Sequence, residues 1–173
     1  MGEITVKQKI AKRIPTHSLY LWLLLAGLLF LVMLLTMYKD WRLTGEQPNA
    51  LFYLFVPLVD ISATACGMYV AANIFKQTIT FLEILAVSVG VAIVMQLGEI
   101  LGKLIYYLLW QYPGNLWFPF FFGLYFASVI YAFVRWTGMR WWVAFGMAVF
   151  GIIASMLIVG IITSLTGLDT PGS

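Results

Sequence analysis

Residues 81–110 read FLEILAVSVGVAIVMQLGEILGKLIYYLLW, and this stretch decides the fold. As a helix it rises about 45 Å at 1.5 Å per residue, enough to cross a hydrocarbon layer about 30 Å thick. Yet it carries Gln96, Glu99 and Lys103. Each ionised group in hydrocarbon costs roughly 2.5–3.5 kcal/mol on insertion scales. A helix that keeps them must turn them toward protein, water or a ligand. The expected architecture is therefore a polytopic membrane protein with a polar spot inside.

Composition points the same way. The 173 residues are 62% hydrophobic and 10% charged, against about 25% charged in soluble domains, so a soluble globular domain is excluded. The net charge of +3 is small, and no basic cluster has the size of a nucleic-acid groove, so no nucleic-acid partner is expected. Cys66 is the single cysteine and His17 the single histidine. A haem held by two histidines or a histidine-based zinc site is thus beyond this chain alone. No cofactor is expected, haem least of all. No nucleophile–base pair, carboxylate-rich metal motif or phosphate loop is visible, which makes an enzyme the least favoured class.

Outward from residues 81–110, the pattern gives four further spans. Residues 1–17 combine Lys7, Lys9, Lys12 and Arg13 with Ile4, Ile10 and Ile14. They form a basic cytoplasmic segment that either lies on the membrane as a short interfacial helix or simply anchors topology. The apolar run after it is too long for a signal-peptide core and lacks a small-residue cleavage site. Helix 1 is expected over 18–38, and residues 39–49 form a polar connection. Helix 2 covers 50–75, with a kink expected at Pro57, which lacks an amide proton. Its residues Tyr53, Pro57, Asp60, Thr64, Gly67 and Ala71 make a small-and-polar stripe that should pack inward. The short link after it makes helices 2 and 3 neighbours.

Helix 3 covers 81–110. Thr80 and Glu83 have capping-box spacing, so Glu83 reads as a helix-end residue. Gly98 and Gly102 form a GxxxG that permits close helix approach. Helix 4 covers 116–136 and helix 5 covers 141–165, the latter with Gly146, Gly151, Ser155 and Gly160 as a second small-residue surface. Residues 167–173 are a short external tail. Residues 18–166 thus form one all-α integral membrane domain, five transmembrane helices in an antiparallel bundle. Lys7, Lys9, Lys12, Arg13, Lys76, Arg135 and Arg140 fall on one side and only Lys39 and Arg42 on the other. The N-terminus is then cytoplasmic and the C-terminus external. The plasma (inner) membrane is the expected location.

Two carboxylates make the candidate site. Asp60 lies about 15 Å along helix 2 from Ala50, and Glu99 about 16 Å back from Trp110 on helix 3, both measured from the outer face. They are expected to share one level and one cavity. Lys103 follows Glu99 by four residues, the favourable order for an intrahelical pair, and Gln96 and Tyr106 share that face. Two acids and one lysine leave an unbalanced negative charge if all are ionised, which suits a proton, a cation or an amine. The ligand set is Asp60, Thr64, Gln96, Glu99, Lys103 and Tyr106. The alternative is a satisfied network, with Glu99 on Lys103 and Asp60 on Thr64 or on the carbonyl freed by Pro57.

Helix 4 is crowded with aromatics, which serve either as a platform for a flat or isoprenoid ligand or as packing against lipid and its interface. Its start, Trp117-Phe118-Pro119-Phe120-Phe121-Phe122-Gly123, is similar to the WxPxFFG run of the tryptophan-rich sensory (translocator) proteins, which also have five helices. The likeness covers these seven residues. One span follows them here where that family has two, and no site residue is carried over. The expected function is a non-enzymatic membrane subunit that binds or translocates a proton, cation or small solute at the polar site. The alternative is a structural accessory subunit of a larger complex, holding lipid, quinone or carotenoid against helix 4. The small-residue faces of helices 3 and 5 are hard to use together in so thin a bundle, so a homo- or hetero-oligomer is expected within the lipid bilayer.

Overall fold

The computed structural model describes residues 15, 16, 18–45, 49–110 and 117–166. The basic segment with His17, the turn at 111–115 and the external tail lie outside the described residues, apart from Pro15 and Thr16. Among the described residues the only regular elements are five α-helices: α1 (Leu19–Thr44), α2 (Ala50–Ile74), α3 (Phe81–Trp110), α4 (Trp117–Thr137) and α5 (Trp141–Thr166). Each contains a window long and apolar enough to cross a membrane. Large apolar side chains such as Leu24, Leu157 and Leu165 are exposed, which suits contact with lipid. The protein is an all-α, multi-pass integral membrane protein.

Helix α1 runs six residues past Tyr38 and takes in Lys39, Asp40 and Arg42, which the hydropathy pattern assigns to a connection. Nothing in KDWRLT opposes a helix; only Gly45 does, by adopting the left-handed conformation at φ 73° that a residue without Cβ reaches at no steric cost. Its amide donates to the Trp41 carbonyl at 2.9 Å. Helix α2 continues through Pro57 and ends where the Gln77 amide reaches back to the Ala72 carbonyl at 2.9 Å.

The capping box at the start of α3 is present. The Thr80 amide donates to Glu83 Oε2 at 2.9 Å, and the Glu83 amide donates to Thr80 Oγ1 at 3.2 Å. Glu83 is buried by this arrangement. Glu83→Gln is expected to leave thermal stability nearly unchanged, because glutamine completes the same box. Glu83→Ala, which cannot, should cost about 1 kcal/mol. Equal losses for the two substitutions in a detergent melt would rule the capping role out.

The most extensive helix contact joins α2 to α5, elements far apart in the chain. Small residues allow it. A Cβ built on Gly67 would overlap the Phe150 carbonyl and fall 2.6 Å from Ala154 Cβ, and one on Gly151 would fall 3.0 Å from Met68. Ala65, Met68, Ala71 and Ala72 of α2 meet Val143, Ala144, Met147 and Ala148 of α5 in the main core, which Phe133 of α4 and Ile84 of α3 complete. Without water to drive helices together, such close van der Waals contact is the main attraction available in a bilayer.

On α3, Gly98 faces Leu124 of α4. On α5, Gly146 meets Phe75, just past the end of α2, and Gly151 meets Met68 and Thr64 of α2, whereas nothing stands within 4 Å of a Cβ at Gly160. Helix α1 is peripheral. It packs on α3 and thinly on α2 through Leu29, Val32 and Met33 against Ile61, Val89 and Ile93. Among the described residues it makes no close approach to α4 or α5.

Candidate functional site

Asp60 sits ten residues into α2, about 15 Å along its axis. The α2–α5 packing brings Ser155 beside it, and Ser155 Oγ donates a hydrogen bond to Asp60 Oδ1. The acid thus looks across to α5, not to Thr64 or to the backbone near Pro57. Among the described residues, Lys39 is the cation that forms ion pairs, with Asp40 and Glu99, and no Lys or Arg pairs with Asp60.

Two cavities meet at Asp60. One, of about 170 Å³, is bounded by Asp60, Thr64, Met68, Ser88, Met95, Gln96 and Tyr125 among others. Thr64 and Ser88 are buried there. Ser88 Oγ approaches the Met68 sulfur at 4.0 Å, and the Tyr125 hydroxyl reaches the Ala148 carbonyl at 3.5 Å. Both contacts are long and weak, so both hydroxyls keep capacity for a ligand. Gln96 Oε1 is a buried acceptor with no hydrogen-bond partner, an arrangement that costs about 1–3 kcal/mol until something fills it. The second cavity, of about 280 Å³, shares Asp60, Thr64, Met95 and Tyr125 and extends past Ser155 to Phe121, Phe122, Ile152 and Met156. Met156 is exposed, so this space opens on the lipid-facing surface between α4 and α5.

Glu99 belongs elsewhere. Its Oε1 accepts from Lys39 Nζ at 3.2 Å, Lys39 also pairs with Asp40 Oδ1 at 3.2 Å, and the Tyr53 hydroxyl donates to Asp40 Oδ2 at 2.8 Å. This second network ties the C-terminal end of α1 and the N-terminal end of α2 to α3 at the level of Tyr53. Tyr53 is seven residues, about 10 Å, from Asp60 along α2. α3 is about 45 Å long, more than a hydrocarbon layer of about 30 Å, so a depth counted from Trp110 does not fix the level of Glu99. Met95 and Gln96 stand opposite Asp60 instead.

Of the six expected ligand residues, Asp60, Thr64 and Gln96 come together on one cavity wall, and Glu99 lines neither cavity. Lys103 and Tyr106 lie in α3, but their side chains are outside the described residues. Ser155 and Tyr125 are site residues that the sequence reading misses. The same depth count would have found Ser155, which lies about 16 Å back from Thr166 and so matches Asp60. Tyr125 carries a weaker signal, a tyrosine placed away from the membrane edges where that residue is enriched. Among the described residues no three His, Cys, Asp or Glu side chains gather as a metal site. Comparison with family models, curated proteins and solved structures finds no match for this chain.

Proposed function

We propose that the protein is a non-enzymatic, multi-pass membrane protein that binds a proton, a cation or a small positively charged solute at Asp60 and carries it across the bilayer. One observation carries this reading. Among the described residues no Lys or Arg pairs with Asp60, and this mid-membrane carboxylate borders two cavities, one of which also holds the orphaned Gln96 acceptor. Intramembrane acids are expensive and are kept where they handle ions or polar ligands. A purely structural acid would be better satisfied by a basic neighbour.

The bundle is antiparallel in this reading, which is supported by Phe75 meeting Trp142 at one end of the α2–α5 pair while Asp60 meets Ser155 further along it. The N-terminus is cytoplasmic and the C-terminus external, by the distribution of Lys and Arg. A reporter fused after Ser173 is expected to read as external and one inserted near Thr137 as cytoplasmic; the reverse pattern overturns the orientation.

The test of function uses purified protein in liposomes with protons, Na⁺, K⁺, methylammonium and benzyltrimethylammonium as probes. Saturable binding or uptake of at least one is expected, and Asp60→Asn should remove it while helical content stays unchanged. Uptake that Asp60→Asn leaves intact, or no uptake of any probe, would refute the reading.

A second reading has its own support. A cavity of about 320 Å³ lies between α1, α3 and α4, walled almost wholly by apolar side chains including Leu25, Val91, Tyr131 and Trp136. It suits a lipid or isoprenoid chain, as an accessory subunit of a larger membrane complex would hold. Obligate co-purification with other chains would favour that reading.

A further inference from the structure

The two spaces that meet at Asp60 differ in chemistry, and the difference names a ligand. Toward α3 the wall sets three polar groups, Thr64, Ser88 and the unpartnered Gln96 oxygen, among apolar side chains such as Ile61, Val91 and Ala92. Toward the α4–α5 opening it is aromatic and thioether, with Phe121, Phe122 and Met156. The Tyr125 ring borders both.

A small inorganic ion uses only part of this. Ca²⁺ takes six to eight oxygen ligands, commonly from several carboxylates, and Asp60 is the one carboxylate on these walls. Na⁺ or K⁺ bound at Asp60 would leave the aromatic space empty. A proton would leave both spaces empty.

An amphipathic organic cation uses all of it. We propose that the site takes a lipophilic ammonium, its charged head against Asp60 and its apolar body along Phe121, Phe122 and Met156. The inference rests on the reading of Asp60 as a cation site and specifies the class of cation. Aromatic faces attract an ammonium, most strongly when water is excluded. Methionine side chains adapt to irregular apolar shapes, so the site tolerates variety in the body of the ligand. The position of Met156 sets the route: such a molecule partitions into the bilayer and enters sideways between α4 and α5.

The test compares probes on the wild-type protein before it compares variants. Benzyltrimethylammonium, whose charge is permanent, should bind more tightly than tetramethylammonium, methylammonium or Na⁺. Phe122→Ala should weaken benzyltrimethylammonium about tenfold, the scale of a lost aromatic–aromatic contact. Met156→Trp, which narrows the opening and leaves Asp60 untouched, should slow its uptake from the lipid. If methylammonium or Na⁺ binds in an Asp60-dependent manner and benzyltrimethylammonium does not, the cation site stands and the inference falls. If no probe shows dependence on Asp60, both fall. The wild-type ranking decides the matter even if a variant fails to fold.

Discussion

Gly67→Leu is expected to lose the folded protein from detergent extracts, or to melt far below wild type. The added Cβ has no room, because it meets backbone at Phe150 and the Ala154 methyl, which is fixed directly to the α5 backbone. A flexible side chain could swing aside, whereas a helix backbone has to move as a unit. Overpacking usually costs about 1–3 kcal/mol, and this case belongs at or above the upper end because α2–α5 is the main interface. The damage also reaches the site, since Gly67 is two turns from Asp60, and parting the helices pulls Ser155 from the carboxylate. Gly90→Ala is the control. Nothing stands within 4 Å of a Cβ at Gly90, and alanine favours helix over glycine by about 1 kcal/mol. Wild-type melting of Gly67→Leu would show that the close α2–α5 approach is absent in the folded protein.

Lys39→Met is expected to loosen α1, with a loss of about 2 kcal/mol. Its ammonium holds Asp40 and Glu99 together and is itself only 13% exposed. Removing one member of a buried ion pair costs about 3–5 kcal/mol. Glu99 is about a third exposed, so the figure is reduced for solvent screening. The double substitution Lys39→Met with Glu99→Gln should recover part of the loss, because it also removes the carboxylate charge that faced Lys39. Thermal melts of the four proteins give the coupling directly. Equal and additive losses would show that the pair contributes nothing beyond its parts.

Five spans were legible because each is an apolar run of membrane-crossing length, and Glu83 was legible because a capping box is local. What failed was whatever depended on neighbours. The end of α1 is set by one glycine rather than by polarity, so hydropathy alone assigns Lys39 and Asp40 to a loop. The contact of Glu99 with Lys39 is hidden in the same way, because it needs α1 to continue as a helix beyond Tyr38. Ser155 and Tyr125 reach Asp60 only because α5 lies against α2 and α4 lies against both α3 and α5. Hydropathy carries no information about which helices touch, and the strongest contact joins elements that are not consecutive. Gln96 was found, but as a companion of Glu99 rather than of Asp60.

The bond between Asp60 and Ser155 spans 95 residues of chain, and a ribosome adding about 5–20 residues per second needs on the order of 5–20 seconds to make that stretch. Throughout this interval α2 already exists and α5 does not. Asp60 therefore spends its first seconds at the membrane without the hydroxyl that later steadies it, and Gly67 offers its bare backbone to whatever lies alongside. The order of the helices thus builds a delay of seconds into the assembly of the Asp60–Ser155 contact.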